Sequence, residues 1–164
     1  MTALALVPFA DASAATVAGW VHSADEAEMW CGRREHPISP WLVRRWQTDP
    51  DTRGRVLLAG AEPVGYGELW VDEAEDEVEL ARIIVAPAHR RHGVGQELVR
   101  LLVAEALAFR TSDVFLRVHP RNEPALRCYL RAGLVEVPAD DAALWNAEQP
   151  VAYRWLTAGP VSAG

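Results

Sequence analysis

At 164 residues, with 50% of them hydrophobic and 24% charged, the chain has the size and composition of one soluble domain with a real core. A net charge of −7 argues against a nucleic-acid partner, which would call for a basic face, and two cysteines make no disulfide framework, so a reducing cytoplasm is the expected setting. Residues 1–10 lack a basic segment and Pro8 breaks their apolar run, so neither a signal peptide nor a membrane span is expected there.

That opening segment reads as a first strand. Ser13 to Val21 and Ala24 to Trp30 read as short helices. Ser39-Pro40 is a helix start, with serine as N-cap and proline at the first helical position, and the helix carries Trp41, Leu42, Arg45 and Trp46. Arg55 to Gly60 is a strand, Ala61-Glu62-Pro63 a turn and Val64 to Val71 the next strand. After an acidic turn, Asp72 to Asp76, Val78 to Val85 pairs back as a hairpin. Val94, Leu98, Leu101, Leu102, Glu105 and Phe109 recur at helical spacing, which predicts a helix with one stripe on a sheet. Asp113 to Val118, Leu134 to Val137 and Val151 to Leu156 are the last strands. Ala139 to Gln149 reads as loop or a short helical turn, and the Gly/Pro/Ser-like tail after Ala158 as frayed. Strands flanking two central helices give a mixed α/β order, one domain over residues 1–158.

The stretch richest in chemistry is Arg90-Arg91-His92-Gly93-Val94-Gly95, between a strand and a helix. The first N–H groups of a helix have no partner within it, and the helix dipole favours an anion there. Glycines allow close backbone approach and angles that a β-carbon resists. A nucleotide-triphosphate loop is excluded by residue type. It needs a lysine and a following Ser or Thr, whereas all 16 Lys+Arg residues are Arg and Gln96 follows Gly95. The three-glycine dinucleotide fingerprint fails too, with two glycines placed past the middle of the chain. Absence of lysine also removes Schiff-base chemistry.

Arg/Gln-x-x-Gly-x-Gly/Ala resembles the acyl-CoA pyrophosphate loop of the GNAT family of N-acetyltransferases. The resemblance extends upstream to Glu79-Leu80-Ala81-Arg82-Ile83-Ile84-Val85-Ala86-Pro87, similar to that family's fourth strand. Downstream, Asp113 to Val118 resembles its fifth strand, and Asn122 to Leu134 its Asn-x-x-Ala-x-x-x-Tyr-x-x-x-Gly-Phe segment, with Leu134 for the commoner Phe. Four motifs in order cover roughly Val64 to Val137; the first sixty residues match only in outline. The resemblance implies an α/β (α+β) fold with a largely antiparallel sheet, splayed between its fourth and fifth strands and flanked by helices. It implies acetyl-CoA as cosubstrate and an amine acceptor, and leaves the oligomeric state open, homodimers being common in the family; with no Cys/His ligand spacing for zinc, no metal is expected.

Residue by residue, the resemblance places the CoA diphosphate on the turn from Arg90, Arg91, His92 and Gly93 through Val94, Gly95 and Gln96. Ile83 and Val85 would offer main-chain groups to the pantetheine arm, as in strand addition. Asn122 would bond the same arm, and as a natural N-cap it has a structural reason as well. Tyr129 matches the general acid: amide formation expels a thiolate, and a phenol of pKa ~10 can protonate it. Glu79, fourteen residues before Gly93, has the spacing of the catalytic glutamate in the histone-acetylating branch and would take the amine proton, directly or through water. Glu68 and His119 are rival bases, His119 with a suitable unperturbed pKa of ~6.5. Trp30, with Trp41 and Trp46, would wall an acceptor pocket or simply fill core, and Arg33 and Arg34 would meet a carboxylate or stay solvated. The acidic stretch Asp72 to Glu79 favours a cationic acceptor, and the arginines near residue 33 an anionic group on it. Cys128 reads as a small buried hydrophobe. The expected activity is acetyl transfer to a primary amine in a ternary complex. The alternative is a CoA-binding regulatory or degenerate relative without turnover.

Overall fold

The computed structural model describes residues 2–109 and 113–158. The tail that the sequence sets apart, residues 159–164, lies outside them. Seven strands form one sheet in the order β1-β2-β3-β4-β5-β7-β6: β1 Leu4–Pro8, β2 Thr52–Ala59, β3 Glu62–Asp72, β4 Glu77–Val85, β5 Asp113–Val118, β6 Leu134–Glu136 and β7 Arg154–Ala158. Every neighbouring pair is antiparallel except β4 and β5. The helices are α1 Ala14–Ala18, α2 Ala24–Cys31, α3 Pro40–Trp46, α4 Val94–Leu107, α5 Glu123–Arg131 and α6 Ala139–Trp145, with short 3₁₀ turns at Asp11–Ser13 and Pro87–His89.

Alternation along the strands sends side chains to opposite faces, and each face has its own core. Leu57, Leu69, Leu80, Leu116 and Leu156 point to the face covered by α4 and α5, where Leu98 and Leu102 are fully buried. Val56, Tyr66 and Ile84 point to the other, under α1, α2 and α3 with Val17, Trp30 and Val43. Burying one such leucine stabilises the fold by roughly 1.5–3 kcal/mol. Caps fall where the side chains predict them. Ser23 accepts from Glu26 N–H at 3.1 Å, Ser39 from Trp41 N–H at 3.2 Å, and Asn122 from Ala125 N–H at 3.3 Å.

Several boundaries differ from the sequence reading. The first helix is a 3₁₀ turn followed by only five α-helical residues, ending before Gly19. Residues 139–145 form α6, with Pro138 as N-cap and Asp140 and Asp141 in its first turn. The last strand begins at Arg154 because Val151 to Tyr153 close a turn, Tyr153 N–H bonding Val151 O at 3.1 Å.

Two irregularities position the site. The parallel β4–β5 ladder runs from Glu77↔Asp113 to Leu80↔Leu116 and then stops. Beyond it β4 stays with β3, and β5 with β7, so the sheet opens into a wedge. Just past the split, Arg82 takes a left-handed φ of 46° and the β3–β4 register slips between Tyr66 and Glu68. This bulge bends β4 away from β5.

Candidate active site

The wedge holds a cavity of about 160 Å³. Of the residues singled out in the sequence, Trp30, Glu79, Ile83, His119, Asn122 and Tyr129 all line it. A wider cleft of about 900 Å³ lies beside it, and Trp70, Glu79 and Arg82 line both. Arg33 lines this wider cleft, whose rim carries the carboxylates Asp49, Asp51, Asp72 and Glu77. Burial pushes the Glu77 carboxyl up, and the nearby Asp72, Glu75, Asp113 and Glu79 push the same way.

Tyr129, on α5, is 8% exposed, and burial raises its phenol well above the ordinary value of 10.0. The group stays protonated at neutral pH, the state required of a proton donor. Neighbouring Cys128 also has its thiol raised by burial, which keeps it from being a ready thiolate nucleophile. Asn122 uses its carbonyl oxygen as the cap of α5, leaving its amide N–H₂ as the free donor of that side chain. His119 is 6% exposed, and its Nδ1 accepts from the Arg121 N–H at 3.2 Å.

The candidate carboxylates are held rather than free. Arg117 on β5 grips Glu79 with two bonds, Nε to Oε1 at 2.6 Å and Nη2 to Oε2 at 3.0 Å. Its third arm bonds Gln149 at 2.9 Å, and its plane lies 4.7 Å from the Trp155 ring centre and 5.5 Å from that of Tyr153. Glu68 is fully buried and lines neither cavity. It accepts from the Tyr66 hydroxyl, from Trp70 Nε1 at 2.8 Å and from Arg82 Nη1 at 2.7 Å. Arg82 in turn stacks between Trp46, at 4.0 Å, and Trp70, at 4.9 Å, while Trp30 Nε1 donates to its carbonyl at 2.8 Å. The tryptophans near the site thus have definite work: Trp30 and Trp46 are partly core, yet with Trp70 they clamp the bulge. Trp41 is 59% exposed and walls neither cavity.

The glycine turn leads directly into α4. The N–H groups of Val94, Gly95 and Gln96 are its first three and have no carbonyl a turn earlier in the helix. Gly93 has φ +79° with open space around an added β-carbon, so backbone angle alone calls for glycine. Gly95 is glycine for a different reason: a β-carbon there would come within 2.9 Å of Cys128 Sγ and 3.5 Å of Val85 Cγ2. The turn is thereby pressed against both the end of β4 and helix α5. Arg90 is exposed and folds back over the turn, bonding the Val85 carbonyl at 3.0 Å, Glu26 at 2.7 Å and the Trp20 carbonyl at 3.4 Å. Arg91 has φ +64° and, with His92, is exposed at the helix start.

The sequence matches the profile of the acetyltransferase (GNAT) family over residues 20–134. The chain belongs to that family. A mycothiol acetyltransferase of Corynebacterium glutamicum (strain R) is 30% identical over 121 residues, covering 71% of this chain and 40% of that relative, so the chain spans about two fifths of it. Among solved structures, spermidine N-acetyltransferase from Vibrio cholerae, in complex with CoA and spermine, superposes with a TM-score of 0.68 at 20% identity over 82% of each chain. Aminoglycoside acetyltransferase AAC(6')-Ib in complex with coenzyme A gives 0.69 at 20% identity over 94% of this chain and 95% of that one. These two share the GNAT fold with it.

Within this GNAT chain, the residues that sequence reasoning passed over are Arg82, Arg117, Gln149 and Tyr153. Each arginine interrupts an apolar strand, Leu80-Ala81-Arg82-Ile83 and Leu116-Arg117-Val118. A charge there needs a partner, which is the signal that could have marked them, though not which partner. Gln149 and Tyr153 come from the segment before β7 and carried no signal. Among the described residues, no group of three or more His, Cys, Asp or Glu is placed to hold a metal ion, and no helix is long and apolar enough to cross a membrane.

Proposed function

We propose that the chain is an acetyl-CoA-dependent N-acetyltransferase acting on a primary amine by direct attack. The observation that carries this reading is the wedge between β4 and β5, with the buried phenol of Tyr129 and the amide of Asn122 on its wall and the bare start of α4 pressed against its β4 side. The N–H groups of Val94, Gly95 and Gln96 hold the diphosphate, and Arg91 adds charge; Arg90 serves instead to tie the turn to Glu26. Main-chain groups at Ile83 and Val85 align the pantetheine arm, with Asn122 beside it. The amine enters through the wider cleft, and its nitrogen lone pair attacks the thioester carbonyl. The carbon–sulfur bond then breaks and Tyr129 protonates the departing thiolate. The amine proton leaves through water or to Glu79, whose oxygens keep a lone pair each beyond the bonds from Arg117. Glu68, walled off with three donors, braces Arg82 at the bulge. Positioning supplies much of the rate.

The carboxylate rim of the wider cleft supports a cationic acceptor of the polyamine or aminoglycoside kind, the classes named for the two solved neighbours. Of the arginines lining the same cleft, Arg33 pairs with Glu35 at 2.6 Å, Arg82 pairs with Glu68 at 2.7 Å, and Arg45 lies over the Trp41 ring. The same reading treats residues 1–158 as one catalytic unit and places it in a reducing cytoplasm, which suits the free thiols Cys31 and Cys128. Thiol release from acetyl-CoA against a panel of diamines, polyamines, aminoglycosides and amino acids tests it. The wild type is expected to turn over, fastest with polycationic amines, and Tyr129→Phe to lose roughly 100-fold in kcat while binding CoA as before. Thiol release against no amine, by folded protein that binds CoA, would favour a regulatory CoA-binding role.

A further inference from the structure

Among the described residues, one buried side-chain nitrogen or oxygen has no hydrogen-bond partner: Nε2 of His119. The ring is 94% buried, being 6% exposed, and it lines the wedge cavity. Its tautomer follows from its other nitrogen. A backbone N–H can only donate, so the Arg121 N–H at 3.2 Å fixes Nδ1 as an acceptor, and the ring proton sits on Nε2. A donor left buried and unmatched keeps its full desolvation penalty, which a ligand oxygen would remove. The side chain continues the face of β5 that carries Phe115 and Arg117, whereas Leu116 and Val118 point into the core under α4. His119 therefore shares the wedge cavity with Glu79 and Tyr153, its ring centre 6.3 Å from that of Tyr153.

We propose that His119 presents its Nε2–H as a fixed hydrogen-bond donor to an oxygen of the bound reactants, and so positions them instead of taking the amine's proton. This rests on the acetyltransferase reading above. A base would need a lone pair on Nε2, where the proton already is. Protonating the ring would set Nδ1–H against the Arg121 N–H. The charged and titratable groups around it are Arg121, Glu28 and Tyr153; Glu28 is itself taken by Arg34 at 3.1 Å and Arg121 at 3.2 Å. Burial and Arg121 both hold the imidazole pKa below its ordinary value, so the neutral donor persists at pH 7. The oxygen belongs either to the acetyl carbonyl or to the amine acceptor.

The test is ¹⁵N-edited NMR of the histidine side chains in the wild type, assigned with His119→Gln, alone and titrated with acetyl-CoA, CoA, 1,3-diaminopropane and 1,3-diamino-2-propanol. The expected result is an Nε2–H tautomer whose signal moves with acetyl-CoA but not CoA, or with the hydroxylated diamine but not its parent; the two patterns identify the oxygen. In kinetics, His119→Ala loses about tenfold or more in kcat/KM, His119→Gln recovers most of it through its own amide N–H, and the pH profile keeps its shape. An Nδ1–H tautomer, a signal that none of the probes moves while acetyl-CoA binds, or loss of the profile's acidic limb in His119→Gln would overturn the proposal. Absence of acetyl-CoA binding by the wild type would instead overturn the acetyltransferase reading.

Discussion

Glu79 and Arg117 meet across the mouth of the wedge, just where the parallel ladder ends. Their side chains are only 10% and 29% exposed, so each charge depends on the other. Removing one leaves its partner desolvated and short of its counter-charge. Glu79→Gln is expected to lower stability by roughly 3 kcal/mol in urea titration. A variant as stable as the wild type would show that the pair does not brace the strands. Single residues also show how far sequence reading reached. That Tyr129, Asn122 and Glu79 line one cavity was legible because their positions are fixed along the chain relative to the glycine turn. Arg117 and Arg82 were not, because their partners lie on other strands and depend on register and on a bulge.

At the scale of elements, α4 was the most legible piece of the chain. Its apolar spacing predicts a stripe, and Leu98 and Leu102 are buried on it; the outlying Glu105 instead pairs with Arg55 at 2.8 Å. The caps at Ser39 and Asn122 were equally readable, since a short polar side chain before proline or glutamate has a local physical reason to start a helix. The bulge at Arg82 has no local cause. It is held from outside, by Trp46 and Trp70 on the guanidinium and Trp30 on the carbonyl. The two glycines of the turn looked alike in sequence and differ in role. Gly95→Ala is expected to cost about 1–3 kcal/mol, because the added methyl must push the Cys128 sulfur aside. A thermal melt checks this, and pairing it with Cys128→Ala should restore most of the loss by vacating the sulfur. No recovery in the double variant would show that the contact is not the cause.

For the whole molecule, the wider cleft is lined by five carboxylates, Asp49, Asp51, Asp72, Glu77 and Glu79, and three arginines, Arg33, Arg45 and Arg82. Glu77 senses the acid around it through Asp72, Glu75, Asp113 and Glu79. Its carboxyl pKa is raised in the folded state, so the folded protein binds that proton more tightly than the unfolded chain does. Stability is then lost as pH rises from the ordinary value of 4.5 through the folded one, and the penalty persists at neutral pH. Glu77→Gln removes the penalty. The variant should melt above the wild type at about pH 7 and level with it at about pH 3. A gap that widens toward acid would reverse the sign and refute the carboxylate field. A cationic acceptor would relieve the same repulsion, so bound spermidine should shrink the gap at neutral pH.

The proposed function rests on the glycine turn at the start of α4 holding the diphosphate of an acyl-CoA whose arm fills the wedge. Calorimetric titration with acetyl-CoA and with CoA, on the wild type and on Gly93→Glu, tests it most directly. Glutamate at a φ of +79° costs about 1–2 kcal/mol and sets a negative charge against the diphosphate, so a melt should first establish that the variant folds. Binding near micromolar, about −8 kcal/mol, is expected for both ligands in the wild type and none in the folded variant. A folded wild type that takes up neither ligand, or a variant that binds them as tightly, would contradict it.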